Sequence, residues 1–135
     1  MNQYLDARGR PRIVITGMGM VSPVGMSVAE SWQNILSGRS GIGPITQFDA
    51  SDLPCRIAGE VKGFEPRDFI AFKEIRRMSR ASQLATAAAR LAIGDAGLSE
   101  PVEDSERTGV VVGTGMGGLE KAYENMRVFR EKGLS

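Results

Sequence analysis

The 135-residue sequence contains no histidine and a single cysteine, and these two scarcities remove whole classes of chemistry. Without His the usual zinc ligand sets are out of reach, and so is the commonest general base near neutral pH. One Cys excludes a disulfide framework. Net charge is nearly absent as well. The 17 Lys+Arg against 16 Asp+Glu leave a formal charge of +1, so no net field draws nucleic acid or an anionic membrane to the chain. No apolar run approaches the length of a membrane span. The segment Met1–Arg12 is polar and lacks the apolar stretch and small-residue cleavage site of a secretory signal. The expected location is cytoplasmic, with Cys55 reduced.

What is present is an ordinary globular composition, 41% hydrophobic and 24% charged, at a length that allows one core. Arg12 to Val21 reads as a strand running into a glycine turn, because Ile13, Val14 and Ile15 are consecutive β-branched residues that suit a strand buried on both faces. Ser27 and Glu30 form a capping-box pattern that opens a helix with Val28, Trp32, Ile35 and Leu36 on its apolar face and Gly38 as the residue after its end. Residues 39–54 are rich in Gly, Pro, Ser and Asp and read as a surface loop. A short strand is expected over Arg56–Val61, and Pro66 opens a short helix carrying Phe69, Ile70 and Phe72.

Residues 74–96 are expected to be helical, with Leu84, Ala88 and Leu91 on one face and Gly97 as the stop. Alanine crowds this region, which predicts a helix that other elements approach closely. Arg107–Val112 is a second buried-type strand, followed by glycines 113, 115, 117 and 118 and an amphipathic helix over Leu119–Glu131. The strand–helix alternation indicates an α/β fold. Two parallel strands alone make a marginal sheet, and the pattern breaks off after a helix, so an unfinished unit is expected.

Three features invite a functional reading. Gly113-Thr114-Gly115-Met116-Gly117-Gly118 fits G-x-G-x-x-G between a strand and a helix, as a dinucleotide site requires. The acidic partner such a site needs has no place downstream, and the cluster at Gly17 and Gly19 has Ser22 where a third glycine belongs. Tight turns and close backbone packing are the simpler explanation of both clusters. The second feature is a basic stripe: Lys73, Arg76, Arg77 and Arg80 fall at i, i+3, i+4 and i+7 on one helix face. Guanidinium forks there suit an acidic protein surface or a phosphate, and a solvated helix face explains them equally well. The third is Cys55, which lies beside Arg56 at the start of a short strand with no His to act as its base. A structural or incidental thiol is the simpler reading, and no active site can be assembled from spacing alone.

The residues also carry a family resemblance. The stretch Arg12-Ile13-Val14-Ile15-Thr16-Gly17-Met18-Gly19-Met20-Val21-Ser22-Pro23-Val24-Gly25 resembles the opening strand of β-ketoacyl-acyl carrier protein synthases, the elongating condensing enzymes. The likeness continues in order through Trp32, Leu36–Ile42, Phe48–Ser51, Ile57–Val61, Lys73–Met78 and Val112–Leu119. It is nearest the synthase II type, with type II polyketide ketosynthases close behind.

The resemblance implies a thiolase-like α/β fold of two similar halves stacked as α-β-α-β-α layers, of which residues 1–135 would be the N-terminal part of the first half only. It implies a decarboxylative Claisen condensation with malonyl-acyl carrier protein in fatty acid biosynthesis. In the family a Cys at a helix N-terminus, two His and a backbone oxyanion hole do that work, and all three side chains lie beyond the stretch present here. Cys55 does not occupy the nucleophile motif, so no catalytic residue carries over, and the chain by itself is expected to be inactive. No cofactor and no metal are implied.

Two non-catalytic roles do carry over by position. Lys73, Arg76 and Arg77 match the docking surface for acyl carrier protein, an acidic helical partner, and Met116 matches the position that faces the acyl tunnel near the dimer partner. A homodimer is expected for the full-length enzyme. Two other readings stay open: a short non-catalytic carrier-binding or subunit-interaction protein, and a nucleotide-binding module built on residues 113–118.

Overall fold

The computed structural model describes residues 4–133. Its elements in chain order are α1 (Val28–Leu36), β1 (Ile42–Pro44), β2 (Ile57–Gly59), α2 (Phe72–Ile75), α3 (Arg80–Asp95) and α4 (Leu119–Lys132), with short 3-10 turns at Pro66–Asp68 and Ser105–Arg107. Among the described residues no helix is long and apolar enough to cross a membrane.

α1 starts where its capping chemistry dictates. The Ser27 hydroxyl accepts the Glu30 amide at 3.1 Å, and the Glu30 carboxylate accepts the Met26 amide at 2.7 Å, one residue earlier than the reciprocal box requires. The helix ends at Ser37, and Gly38 follows at φ +71, a left-handed conformation that side chains resist. Its apolar stripe, however, is uncovered: Trp32, Ile35 and Leu36 are all exposed, and the buried residue of the helix is Ser31. Ser31 is where the Ser22–Gly25 turn sits, with the Ser22 and Ser31 hydroxyls 3.1 Å apart. Asn34 holds the same turn by donating its side-chain amide to the Val24 carbonyl at 2.5 Å.

β1 and β2 form the one sheet among the described residues, an antiparallel pair in the register Ile42↔Gly59, Gly43↔Ala58 and Pro44↔Ile57. β2 lies where expected. β1 falls inside the stretch expected to be a loop, because three residues containing a glycine and a proline give no period-2 signal. Glu60 follows β2 and is buried; its carboxylate accepts the Thr46 amide, the Thr46 hydroxyl at 2.6 Å and the Gln47 amide at 3.1 Å. These bonds, the hydroxyl's foremost, hold its pKa below the usual glutamate range.

The two expected core strands do not form. Residues 13–21 contain no strand, and Ile13 is 97% exposed; residues 108–112 are likewise irregular, and Val111 is 99% exposed. A parallel strand is a strand only by virtue of its ladder partners, and among the described residues neither stretch has one. The α-β-α-β-α layering is therefore not formed by these residues, which give helices and a small antiparallel hairpin instead.

The long helix predicted over 74–96 divides into the single turn of α2 and the sixteen residues of α3, with a break at Arg76–Ser79. Ser79 restarts the helix, its hydroxyl accepting the Ser82 amide at 3.1 Å. α3 ends at Ala96 with Gly97 at φ +66, as the glycine stop predicts. Leu84, Ala88 and Leu91 are half-buried and Ala87 is fully buried.

α3 is packed by the Gly17–Gly19 segment and by the Pro66–Asp68 turn. The Gly17–Gly19 segment lies along its second half: a methyl group on Gly17 would stand 2.7 Å from the Ala96 methyl, and one on Gly19 would stand 2.5 Å from the Ala92 amide nitrogen and collide with the Ala88 carbonyl. The Met18 amide donates to the Asp95 carboxylate at 2.9 Å, which fixes the same segment lengthwise. The alanine enrichment thus has the close-approach meaning the composition predicts.

Candidate functional site

The basic residues occupy a turn, and the aromatic residues upstream decide where that turn points. Phe64 and Phe69 stack with ring centroids 5.8 Å apart, and Ile70 beside them is 4% exposed, so this segment is anchored to the core. The Glu65 carboxylate caps the Pro66–Asp68 turn by accepting the Arg67 amide at 3.1 Å. Arg90 of α3 donates to the Phe69 carbonyl and so ties the segment to the long helix. Ala71, in extended backbone, then launches α2.

α2 lasts one turn because its end is held from outside. The Gln83 side-chain amide donates to the carbonyls of Ile75 at 3.2 Å and Met78 at 3.4 Å, taking up acceptors that a continuing helix would have used internally. Lys73 is on α2, Arg76 caps it and Arg77 lies in the turn beyond; all three side chains are exposed. Among the described residues none of the three is in an ion pair. Glu74 is the only acid between Lys73 and Arg80.

Arg80 departs from the stripe. Its guanidinium lies over the Phe64 ring at 4.6 Å and donates to the Val61 carbonyl at 3.2 Å, a structural role on the inner side of the turn. The continuous four-residue face expected from helical spacing is thus a three-residue cluster, because the helix breaks before Arg80. Arg67 joins the neighbourhood instead. Its guanidinium lies 4.9 Å from the centre of the Phe72 ring, at the residue preceding Lys73. Spacing did not reveal Arg67, since it lies in the Pro66–Asp68 3-10 turn, out of helical register with α2.

The second glycine cluster forms the turn into α4. Thr114 accepts the Gly117 amide at 3.1 Å, and Gly118 caps the helix at φ +88. Met116 stands at this turn and is 75% exposed. A methyl on Gly117 would come within 3.1 Å of the Ala81 methyl, and Gly118 lies against Ser79. The N-terminus of α4 therefore rests on the N-terminus of α3, next to the turn that carries Arg76 and Arg77. The Glu120 carboxylate completes the junction by accepting the Arg80 amide at 2.8 Å. In this arrangement Gly117 and Gly118 serve packing and turn geometry, and the carboxylate of Glu120 is bonded to the first amide of α3.

Cys55 is exposed and its thiol donates weakly to the Ile57 carbonyl at 3.6 Å. It lies in the loop before β2, apart from any helix N-terminus. Among the described residues no group of three His, Cys, Asp or Glu is placed to hold a metal ion.

Comparison with known proteins gives a consistent picture. A family model described as "Beta-ketoacyl synthase, N-terminal domain" matches residues 10–134. A 3-oxoacyl-[acyl-carrier-protein] synthase 2 from Synechocystis is 42% identical over 126 residues, covering 93% of this chain and 30% of the relative. The enzyme of the same name from Coxiella burnetii is 45% identical over 116 residues, covering 84% of this chain and 28% of the relative. Among solved structures, the ishigamide ketosynthase/chain length factor superposes with a TM-score of 0.71 at 36% identity, over 89% of this chain and 30% of that one. The chain thus spans about 30% of the length of the Synechocystis relative it matches.

Proposed function

The chain belongs to the β-ketoacyl synthase family, matching its N-terminal domain, and from that premise we propose that it is the opening portion of a 3-oxoacyl-acyl carrier protein synthase that docks an acidic carrier and helps wall the acyl tunnel. The observation that carries this reading is the cluster of Lys73, Arg76 and Arg77. Three exposed cations lie within five residues on a turn anchored to the core, with no acid of the described residues paired to them. An acidic helical carrier meets complementary charge there.

In this reading the condensation chemistry belongs to the remainder of the enzyme, which supplies the nucleophilic Cys and the two His that this chain lacks. That remainder also supplies the strands that pair with residues 13–21 and 108–112, so that two β-branched stretches become the inner strands of a thiolase-like layered sheet. The complete enzyme is a homodimer, with residues 1–135 an incomplete part of its N-terminal domain. Met116, at an exposed turn, faces the acyl chain, where a flexible thioether moves aside or limits its length.

The test is an assay of the complete polypeptide with acyl-loaded and malonyl-loaded carrier protein. The expected result is release of CO₂ and a β-keto product two carbons longer; folded protein that accepts an acyl group from carrier and never condenses it contradicts the reading. The likeness to a ketosynthase/chain length factor favours a second reading, in polyketide synthesis. A product carried through further condensations without reduction of its β-keto group decides for the latter.

A further inference from the structure

Residues that pattern alone assigns to separate roles meet at one junction. The docking turn ends at Ser79, where α3 begins, and the Met116 turn ends at Gly118, where α4 begins. One side-chain bond joins the two beginnings across forty residues of sequence, from the Arg80 amide to the Glu120 carboxylate, at 2.8 Å. Small residues also approach there: a methyl added to Gly118 would stand 3.6 Å from the Ser79 side chain, and one on Gly117 3.1 Å from the Ala81 methyl. Such contacts set how closely the helices approach, and they leave sliding unopposed. A directional, charge-assisted bond between helix ends opposes it, and the carboxylate is favoured at both positive helix termini.

We infer that Glu120 is a positioning residue for acyl-chain selectivity, acting through its bond to the Arg80 amide to hold the Met116 turn at a fixed distance from α3. The inference rests on the proposed placement of Met116 at the acyl tunnel. With the bond intact, the Met116 side chain meets the growing chain at a set depth. With the bond removed, the turn yields and longer chains are admitted.

The test measures kcat/KM for a long and a short acyl-carrier substrate in the complete enzyme. Glu120→Ala should raise the long-to-short ratio by about threefold or more, and Glu120→Gln, which keeps an acceptor oxygen, should restore most of the original ratio. Arg80 occupies the first position of α3, where proline is tolerated, and Ser79 before it is already extended at φ -71 and ψ 160. Arg80→Pro therefore deletes the donor N–H within an intact helix and should shift the ratio as Glu120→Ala does. Arg80→Ala, which keeps the N–H, should not, so this pair decides the question even if Glu120→Ala does not fold.

Met116→Ala and Met116→Phe should move the ratio up and down directly, and the effect of Glu120→Ala should vanish in the Met116→Ala background. If the Met116 variants shift the ratio and neither Glu120→Ala nor Arg80→Pro does, the positioning role is wrong while the tunnel reading stands. A Glu120→Ala shift that persists undiminished beside Met116→Ala also overturns it. If the Met116 variants leave the ratio unchanged, the tunnel reading fails and this inference falls with it.

Discussion

Gly19 and Ala92 are in backbone contact: a methyl group added to Gly19 would stand 2.5 Å from the Ala92 amide nitrogen. That closeness explains two compositional facts together, the paired glycines after the first β-branched stretch and the alanines along α3. The segment runs along the helix at a distance that leaves room for a hydrogen and none for a methyl at Gly17 or Gly19.

Gly19→Ala is therefore expected to destabilise the protein by about 1–3 kcal/mol, through backbone displacement. Gly43→Ala is the control, since nothing lies within 4 Å of the added methyl, and it should stay within about 0.5 kcal/mol of the parent. Urea midpoints of the two variants, measured in the complete polypeptide, check the difference. Equal midpoints would mean that Gly19 does not pack on α3.

Glu60 makes stability depend on acid. Hydrogen bonds from Thr46 and Gln47 favour its ionised form, so its folded-state pKa lies below that of the unfolded chain. The resulting stability is complete above the ordinary glutamate range and is lost as the pH falls through the depressed folded value. The urea midpoint followed from about pH 7 to pH 3 should decline, and Glu60→Gln should decline less steeply over the same window. Asp6 and Asp49 are also depressed by hydrogen bonds, chiefly from the Arg10 and Ser51 amides, and Glu124 by the Lys121 side chain, so all three add to the slope.

Ile13–Ile15 and Val110–Val112 are exposed apolar stretches with unpaired backbone, the description of an aggregation-prone edge. The 135-residue chain by itself is expected to self-associate and to bind a hydrophobic dye. Val111→Lys together with Ile13→Lys should reduce both signals, as followed by sedimentation velocity. A monomeric parent chain that unfolds cooperatively would contradict this.

How much of this was legible depended on whether a signal was local. The Ser27 cap and the glycine stops at Gly38 and Gly97 are chemistry within one helical turn, and all three stand where the sequence places them. The β-branched runs were equally plain, yet they announce a propensity that only partner strands turn into a sheet. β1 was hidden because its glycine and proline look like loop residues. The inward turn of Arg80 depends on Phe64 and Val61, sixteen and nineteen residues away, and the Glu120 bond spans forty; neither leaves a periodic trace. Of the basic stripe, the spacing grouped Lys73, Arg76 and Arg77 with Arg80, and the structure supplied the helix break that separates Arg80 from them and the neighbouring Arg67.

Carrier affinity of the complete enzyme at several salt concentrations tests whether Lys73, Arg76 and Arg77 receive an acidic carrier protein, as proposed. The account predicts that the double reversal Arg76→Glu, Arg77→Glu weakens carrier binding by about tenfold or more at low salt and flattens its salt dependence. Arg80→Ala should leave that salt dependence as it was, because its guanidinium is engaged with Phe64 and Val61. Unchanged affinity and an unchanged salt slope in the double reversal would contradict the account.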